Sequence, residues 1–377
     1  MKTSLSALFL LTCALTALLP SRQATAQTAY AVFDLGPVGG GAAANGIDAG
    51  HAVGNVYGSD ASLYRATLWP GGAAAPVDLH PAALLDYPSL NAQGRSTALA
   101  IWGNIQVGYG SGVPTNQRNR ALRWLGSADS VTVLQTPFDT TESGALGIGN
   151  GDGQIVGYGV TVQFVSGRGQ IRRISGPTHA LLWQPGTTVA IDLHNGAEAT
   201  VATATGGGEQ VGYGGKAGFG ATLSETKAML WHGSSNNFVW LHPQNGFATS
   251  QALATDGIQE VGSGIVASNI RLTPSVTHAL LWAHTAVSVI DLQPAGFDQS
   301  YAVGVSEGKQ VGYGTLAPGG THALVWKGTA GSVIDLQAFL SAAFVSSQAT
   351  AIDTGGTITG IAYDGAQRHA VLWIPIF

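Results

Sequence analysis

Seven copies of a basic residue followed by Ala-x-x-Trp hold much of the titratable chemistry of this 377-residue chain. They read Arg65–Trp69, Arg120–Trp124, His179–Trp183, Lys227–Trp231, His278–Trp282, His322–Trp326 and His369–Trp373. Repeated His residues can hold a metal or move protons only where several copies converge. The spacing points instead to pairing. Thirteen positions after the basic residue stands an Asp, giving Arg65/Asp78, His179/Asp192, His278/Asp291 and His322/Asp335. A turn such as Pro185-Gly186 falls between the two, which are expected to face each other across a hairpin. Opposite charges so placed contribute roughly 0.2–1 kcal/mol. Two units lose the acid, with Val133 and Trp240 in its place, and these carry Arg120 and Lys227.

Three further groups are candidates for binding or catalysis. His80, His194 and His242 each follow the segment that carries, or has lost, the Asp. Tyr109, Tyr158, Tyr213 and Tyr313 recur in Gly-Tyr-Gly strings and could stack on a planar ligand or pack between units. Arg168, Arg172 and Arg173 form the one basic cluster, suited to carboxylate or sulfate groups. No H-E-x-x-H, paired Cys, EF-hand loop or phosphate loop occurs. Neither a metal site nor a cofactor is therefore expected, and no loop Ser has an identifiable base and orienting acid.

The elements that position these residues repeat with them. Each unit has four short segments in fixed order: an Ala-rich alternation such as Ser96–Ile101, a Gln-Val-Gly segment such as Gln106–Gly110, the Ala-x-x-Trp phrase, and Val-x-Asp-Leu as in Val289–Leu292. Segments of four to six residues with period-two character, bounded by Gly, Asp and Asn, read as strands. Trp residues recur at 44 to 59 positions, in the range of propeller blades. The fold class predicted is all-β, a seven-bladed propeller with four-stranded blades, the runner-up being a β-solenoid. The last unit lacks its fourth strand, and Tyr30–Leu35 is an orphan with the right pattern. It is expected to complete the last blade, putting Asp34 opposite His369 and removing an open edge. Antiparallel alternation places loops 2–3 and 4–1 on one face, and the long connections fall there, in units two to five. That face is expected to be the working one.

Residues 1–26 read as a signal peptide: Lys2, the apolar Leu5–Leu19, and Ala24-Thr25-Ala26 before Gln27. Residues 27–377 then form a single propeller domain, exported to the periplasm or beyond. The sole cysteine, Cys13, lies in the leader, so stability must come from core and closure. Without Lys2 and Arg22 there are 14 basic residues against 21 acidic. This balance argues against a nucleic-acid partner, and no second apolar run is long enough to span a membrane. The chain is expected to act as a monomer.

These residues resemble the HAF-type extracellular repeat family, named for its His-Ala-Phe phrase. Unit one matches best, with Asp34-Leu35-Gly36-Pro37-Val38-Gly39-Gly40, Ala44-Asn45-Gly46-Ile47-Asp48-Ala49-Gly50 and Val53-Gly54. Later units keep His-Ala, Gln-Val-Gly and Asp-Leu, with Leu, Met, Val or Thr for the Phe. The resemblance covers essentially all of the chain after the leader; it implies secretion and a propeller-like repeat, and no catalytic residues. The functional expectation is a non-catalytic propeller recognising a glycan, peptide or envelope ligand through Arg168, Arg172, Arg173, Tyr109, Tyr158, Tyr213 and His194. The alternative is a secreted carbohydrate-active enzyme, such as a lyase on acidic polysaccharide, in which Arg neutralises a carboxylate while Tyr158 or His194 moves protons.

Overall fold

Short alternating segments joined by tight turns can satisfy their backbone groups only by pairing with one another, and here they do so in seven closed sets. The structure, a computed structural model, describes residues 29–376 apart from 37–38, 61, 72–73, 91, 168–169, 218–222 and 268–274. The leader read in residues 1–26 and the tip residue Arg168 lie outside the described residues. Seven four-stranded antiparallel sheets form the blades of a propeller, as the repeats predict. In blade one the strands are Ala42–Asp48, His51–Tyr57, Tyr64–Trp69 and Val77–Asp78, from the axis outward. No helix among the described residues is long and apolar enough to cross a membrane.

Blade seven takes its outer strand from the other end of the chain. Ala29–Gly36 pairs antiparallel with Arg368–Ile376, with Val32 opposite Trp373 and Asp34 opposite Val371. His369 Nδ1 lies 2.9 Å from Asp34 Oδ2, which is the closure expected from sequence. The detailed register corrects the expectation that basic residue and Asp sit directly opposite. Asp192 is opposite Leu181 and Asp291 opposite Leu280, each two residues beyond the His. The contact is a diagonal one, and it frees the second carboxylate oxygen. Asp192 Oδ2 meets His179 Nδ1 at 2.9 Å while its Oδ1 accepts the N–H of His194 at 2.9 Å. Asp34, Asp78, Asp291 and Asp335 repeat this division between the residue on strand three and the N–H two positions on.

The repeated Gly of Val-Gly is imposed by how closely the first two strands approach. A Cβ at Gly108, Gly157 or Gly262 would collide with the carbonyl oxygen of Thr97, Gly144 or Gln251 on the neighbouring strand. Opposite each of these glycines lies a fully buried Ala: Ala98, Ala145 and Ala252. One residue later every inner strand bulges, at Asn45, Leu99, Leu146, Thr203, Leu253, Val303 and Thr350, and these seven residues line the central channel. Bulges are a standard device for re-aiming side chains next to a site.

Each strand-three Trp seals the joint with the preceding blade. Trp124 packs with Val53, Leu68 and Leu79, and Trp373 with Val311, Val325 and Leu336. Burying one such ring is worth several kcal/mol of transfer free energy, so the Trp set dominates the core.

Removal of Ala29–Gly36 is expected to expose the edge of Arg368–Ile376; size-exclusion chromatography should then show self-association, together with a lower melting temperature. A monomeric truncated chain of native stability would contradict the closure. Acid should also loosen the ring. Burial alone would raise the Asp192 carboxyl, but the His179 imidazole and the His194 N–H hold it below the usual range. Burial likewise opposes, and the Gly94 N–H and His80 outweigh it, at Asp86. Stability from such lowered groups is complete above the unfolded value of about 4 and is lost as pH falls through the folded one. Urea midpoints should therefore drop below about pH 4, and less steeply in D192N.

Candidate functional sites on the two faces

One constellation has the connectivity of a nucleophile, base and acid. Ser96 Oγ lies 2.8 Å from His80 Nδ1, and His80 Nε2 lies 3.1 Å from Asp86 Oδ1. Its environment makes it structural. Ser96 is 0% and His80 3% exposed, and Ser96 Oγ already accepts the Ala66 N–H at 3.0 Å. The same joint recurs around the ring. Thr200 accepts from Ala180 and meets His194, while Ser250 accepts from Ala228 and meets His242. Ser300 and Ser347 pair instead with Gln293 and Gln337. A hydroxyl of one inner strand thus ties a backbone N–H and a side chain of the preceding blade, with His and Gln interchangeable. His80, His194 and His242 are posts of these joints.

Nor do the other sequence candidates converge. His194 stacks on His179 with ring centroids 3.9 Å apart, and burial, with His179 beside it, lowers its pKa. The Tyr158 ring covers Gly144, and burial pushes its hydroxyl up to about 12. Burial likewise raises Tyr109, Tyr213 and Tyr313, all half-buried; Tyr313 stacks on Tyr301 at 4.8 Å. Arg172 and Arg173 stand exposed on the returning arm of a hairpin, opposite Val165 and Phe164. That hairpin protrudes as the sequence predicts, with Phe164 67% exposed. Arg173 lies close enough to Arg120 to help burial lower the Arg120 pKa.

Sequence reasoning missed an aromatic and cationic surface at the low side of the loop-rich face. Tyr57 and Tyr64 end the short hairpin of blade one, edge to face at 6.3 Å. Arg95 of blade two stands over Tyr64 and Arg368 of blade seven over Tyr57, each 5.9 Å from the ring centroid. Arg368 Nη1 donates to Tyr57 Oη at 3.4 Å. The strands of blade three run on for about six residues beyond this level, roughly 20 Å at 3.3 Å each. A low floor over blades seven, one and two therefore lies beside a wall. The only early signal was that the blade-one hairpin is among the shortest.

The central channel opens on the face opposite the long connections; cavities of about 610 and 700 Å³ also lie among those connections, around Thr136 and Asp139 and around Lys216 and Trp240. A cavity of about 490 Å³ is lined by the bulged residues and by Asp48, Asn150, Asp256, Glu307 and Asp353. These polar residues belong to the 1–2 turns, so this cavity faces the tight-turn side. Long insertions on the opposite side leave the tight-turn side unobstructed.

On that side, between blades four and five, three donors meet that no sequence motif announced. Glu209 Oε2, Glu260 Oε1 and His284 Nδ1 lie within 4.8 Å of one another. His284 Nδ1 is 3.1 Å from the first and 3.0 Å from the second, and His232 Nδ1 is 3.4 Å from Glu209 Oε1. The Glu260 side chain is fully buried. Burial raises its pKa against the pull of the His284 N–H and ring, with Glu209 and Asp256 adding to the rise. Such residue types can hold a divalent metal.

No protein-family model matches the chain, and no curated protein matches it in sequence. Solved structures do match in fold. A prolyl endopeptidase, studied for the role of inter-domain dynamics in catalysis and specificity, superposes with a TM-score of 0.53 at 10% identity, over 86% of this chain and 46% of its own. A puromycin hydrolase gives 0.50 at 12% identity, over 86% and 50%. The chain spans about half the length of each. These neighbours correct the expectation of a non-catalytic propeller for a glycan, peptide or envelope ligand: the solved proteins that share the fold are a prolyl endopeptidase and a puromycin hydrolase.

S96A should leave the His80 ring and the Ala66 N–H short of a partner at a dry joint, costing about 1–3 kcal/mol in urea denaturation. A fluorophosphonate probe should leave native Ser96 unlabelled. Labelling at Ser96 would make the buried joint a reactive centre after all.

Proposed function

We propose that this chain acts in peptide hydrolysis as the propeller that receives the peptide, at the floor formed by Arg368, Tyr57, Tyr64 and Arg95. The observation that carries the reading is this floor, on a fold shared over most of the chain with propellers of peptidases. Tyr rings offer flat apolar faces with hydroxyls that reach peptide groups. Arg guanidinium groups suit backbone carbonyls and a terminal carboxylate. The tall hairpin of blade three borders the floor, so an extended peptide lies along the low side. The signal peptide expected in residues 1–26 supports an activity outside the cytoplasm.

Proline-containing fluorescein peptides incubated with the full chain should bind saturably by anisotropy. R95A/R368A should weaken binding by about tenfold, the loss of roughly 1.4 kcal/mol. A peptide library left unbound would sink the reading.

A further inference from the structure

The repeat itself provides the control for judging the donors between blades four and five. At the start of strand two, the position opposite the Trp is Gln106, Gln210 and Gln310 in blades two, four and six. In each, the Gln Oε1 accepts the N–H of a Gly two residues beyond the Trp at 2.8 Å: Gly126, Gly233 or Gly328. The Gln amide then donates inward to the preceding blade, Gln210 to Gln154 at 2.7 Å and Gln310 to Gln259 at 2.9 Å. This is a neutral, fully satisfied joint.

Blade five breaks the pattern at every member. Glu260 replaces the Gln, Glu209 replaces the acceptor on the preceding blade, and His284 replaces the Gly. Glu260 Oε2 keeps the structural bond, accepting the His284 N–H at 2.8 Å. Across the joint from its Oε1, Glu209 offers another carboxylate where the repeat offers an amide, and the His284 ring, 3.0 Å away, makes no hydrogen bond to it of acceptable geometry. His284 adopts φ +60°, a left-handed conformation that the Gly residues at this position take freely, with φ between +77° and +82°. A non-Gly residue there carries local strain. Glu209 Oε2, Glu260 Oε1 and His284 Nδ1 are all buried atoms, and none makes a hydrogen bond of acceptable geometry. Two buried carboxylate oxygens converge on one ring nitrogen, which can give a proton to only one of them, so the cluster costs stability unless a cation stands between them.

We infer that Glu209, Glu260 and His284 bind a divalent first-row transition-metal ion that clips blade four to blade five on the tight-turn face. A tetrahedral ion with bonds of about 2.0–2.1 Å separates its ligands by about 3.3 Å. The donors stand 3.0 and 3.1 Å from His284 Nδ1, with all three within 4.8 Å, so small movements suffice. The imidazole selects Zn²⁺ or its neighbours over Ca²⁺ and Mg²⁺, which take oxygen donors. His232, 3.4 Å from the other Glu209 oxygen, holds that carboxylate in place. The site lies on the opposite face from the peptide floor and stands or falls without it.

The chain, dialysed against EDTA and then against buffer, is titrated with ZnCl₂ by calorimetry and followed by thermal melting. One equivalent should bind, and melting should rise by about 5 °C at hundredfold excess over Kd. CaCl₂ at the same concentration should do neither. E260Q and H284G install the residues that the chain's own blades use, so both should fold, and both should melt higher than the unsubstituted chain in EDTA. Each should bind Zn²⁺ at least about 100-fold more weakly, and H232A about tenfold. Absence of Zn²⁺ binding, undiminished binding by E260Q and H284G, or an equal response to Ca²⁺ would each overturn the assignment.

Discussion

Everything in this molecule rests on pairing Ala29–Gly36 with Arg368–Ile376, two segments from opposite ends of the described chain. A propeller blade cannot bury both of its faces alone. Each Trp-centred cluster is shared between two blades, so an open array would leave one blade with an unpaired face and an unpaired edge. Sealing the last blade with the first strand gives every blade two neighbours. The junction that follows it is also distinctive. Blade one has Ala42 where the other blades have Ser96, Ser143, Thr200, Ser250, Ser300 or Ser347, so this hydroxyl joint is missing between it and blade seven. Thr350 Oγ1 donates to the Ala44 carbonyl at 2.8 Å, as Thr203 does to Ala252 between blades four and five, and the Gly50 N–H donates to Asp353 Oδ2 at 3.1 Å.

A second constraint is that the sparse charge of this chain is spent almost wholly on local geometry. Each strand-four Asp divides its two oxygens between a side chain on strand three and the backbone N–H that turns the chain toward the next blade. His369 faces two carboxylates, Asp34 on Nδ1 and Asp364 on Nε2 at 3.2 Å, at the closure itself. A titratable residue repeated in every blade is therefore a poor indicator of a site in such a fold. The informative residues are those that depart from the repeat.

Those departures divide the two faces. On the loop-rich side, Tyr57, Tyr64, Arg95 and Arg368 belong to three blades and come together because blades seven and one have short hairpins. On the tight-turn side, Glu260 and His284 occupy positions where blades two, four and six keep Gln and Gly. Glu260 reads in sequence as one more copy of the Gln-Val-Gly segment, and His284 as one more turn residue. Glu209 lies 51 positions from Glu260, in a different unit, and nothing local links the two.

Seven strand quartets, their order, the closing strand and the His–Asp contacts were legible in the residues because a repeated fold imposes the same steric and hydrogen-bonding demands in each unit. Gly108 and its counterparts, the buried Ala opposite them, and the thirteen-residue basic-to-Asp spacing are local requirements, and local requirements are written in local sequence. What only the tertiary structure decided is how neighbouring blades meet. The diagonal offset of Asp192 from His179 follows from the register of strands three and four. The burial of Ser96 against His80 follows from one blade docking on the next. The convergence of Glu209, Glu260 and His284 needs blades four and five stacked face to face, since side chains 24 and 51 residues apart acquire a common point only when the ring is closed.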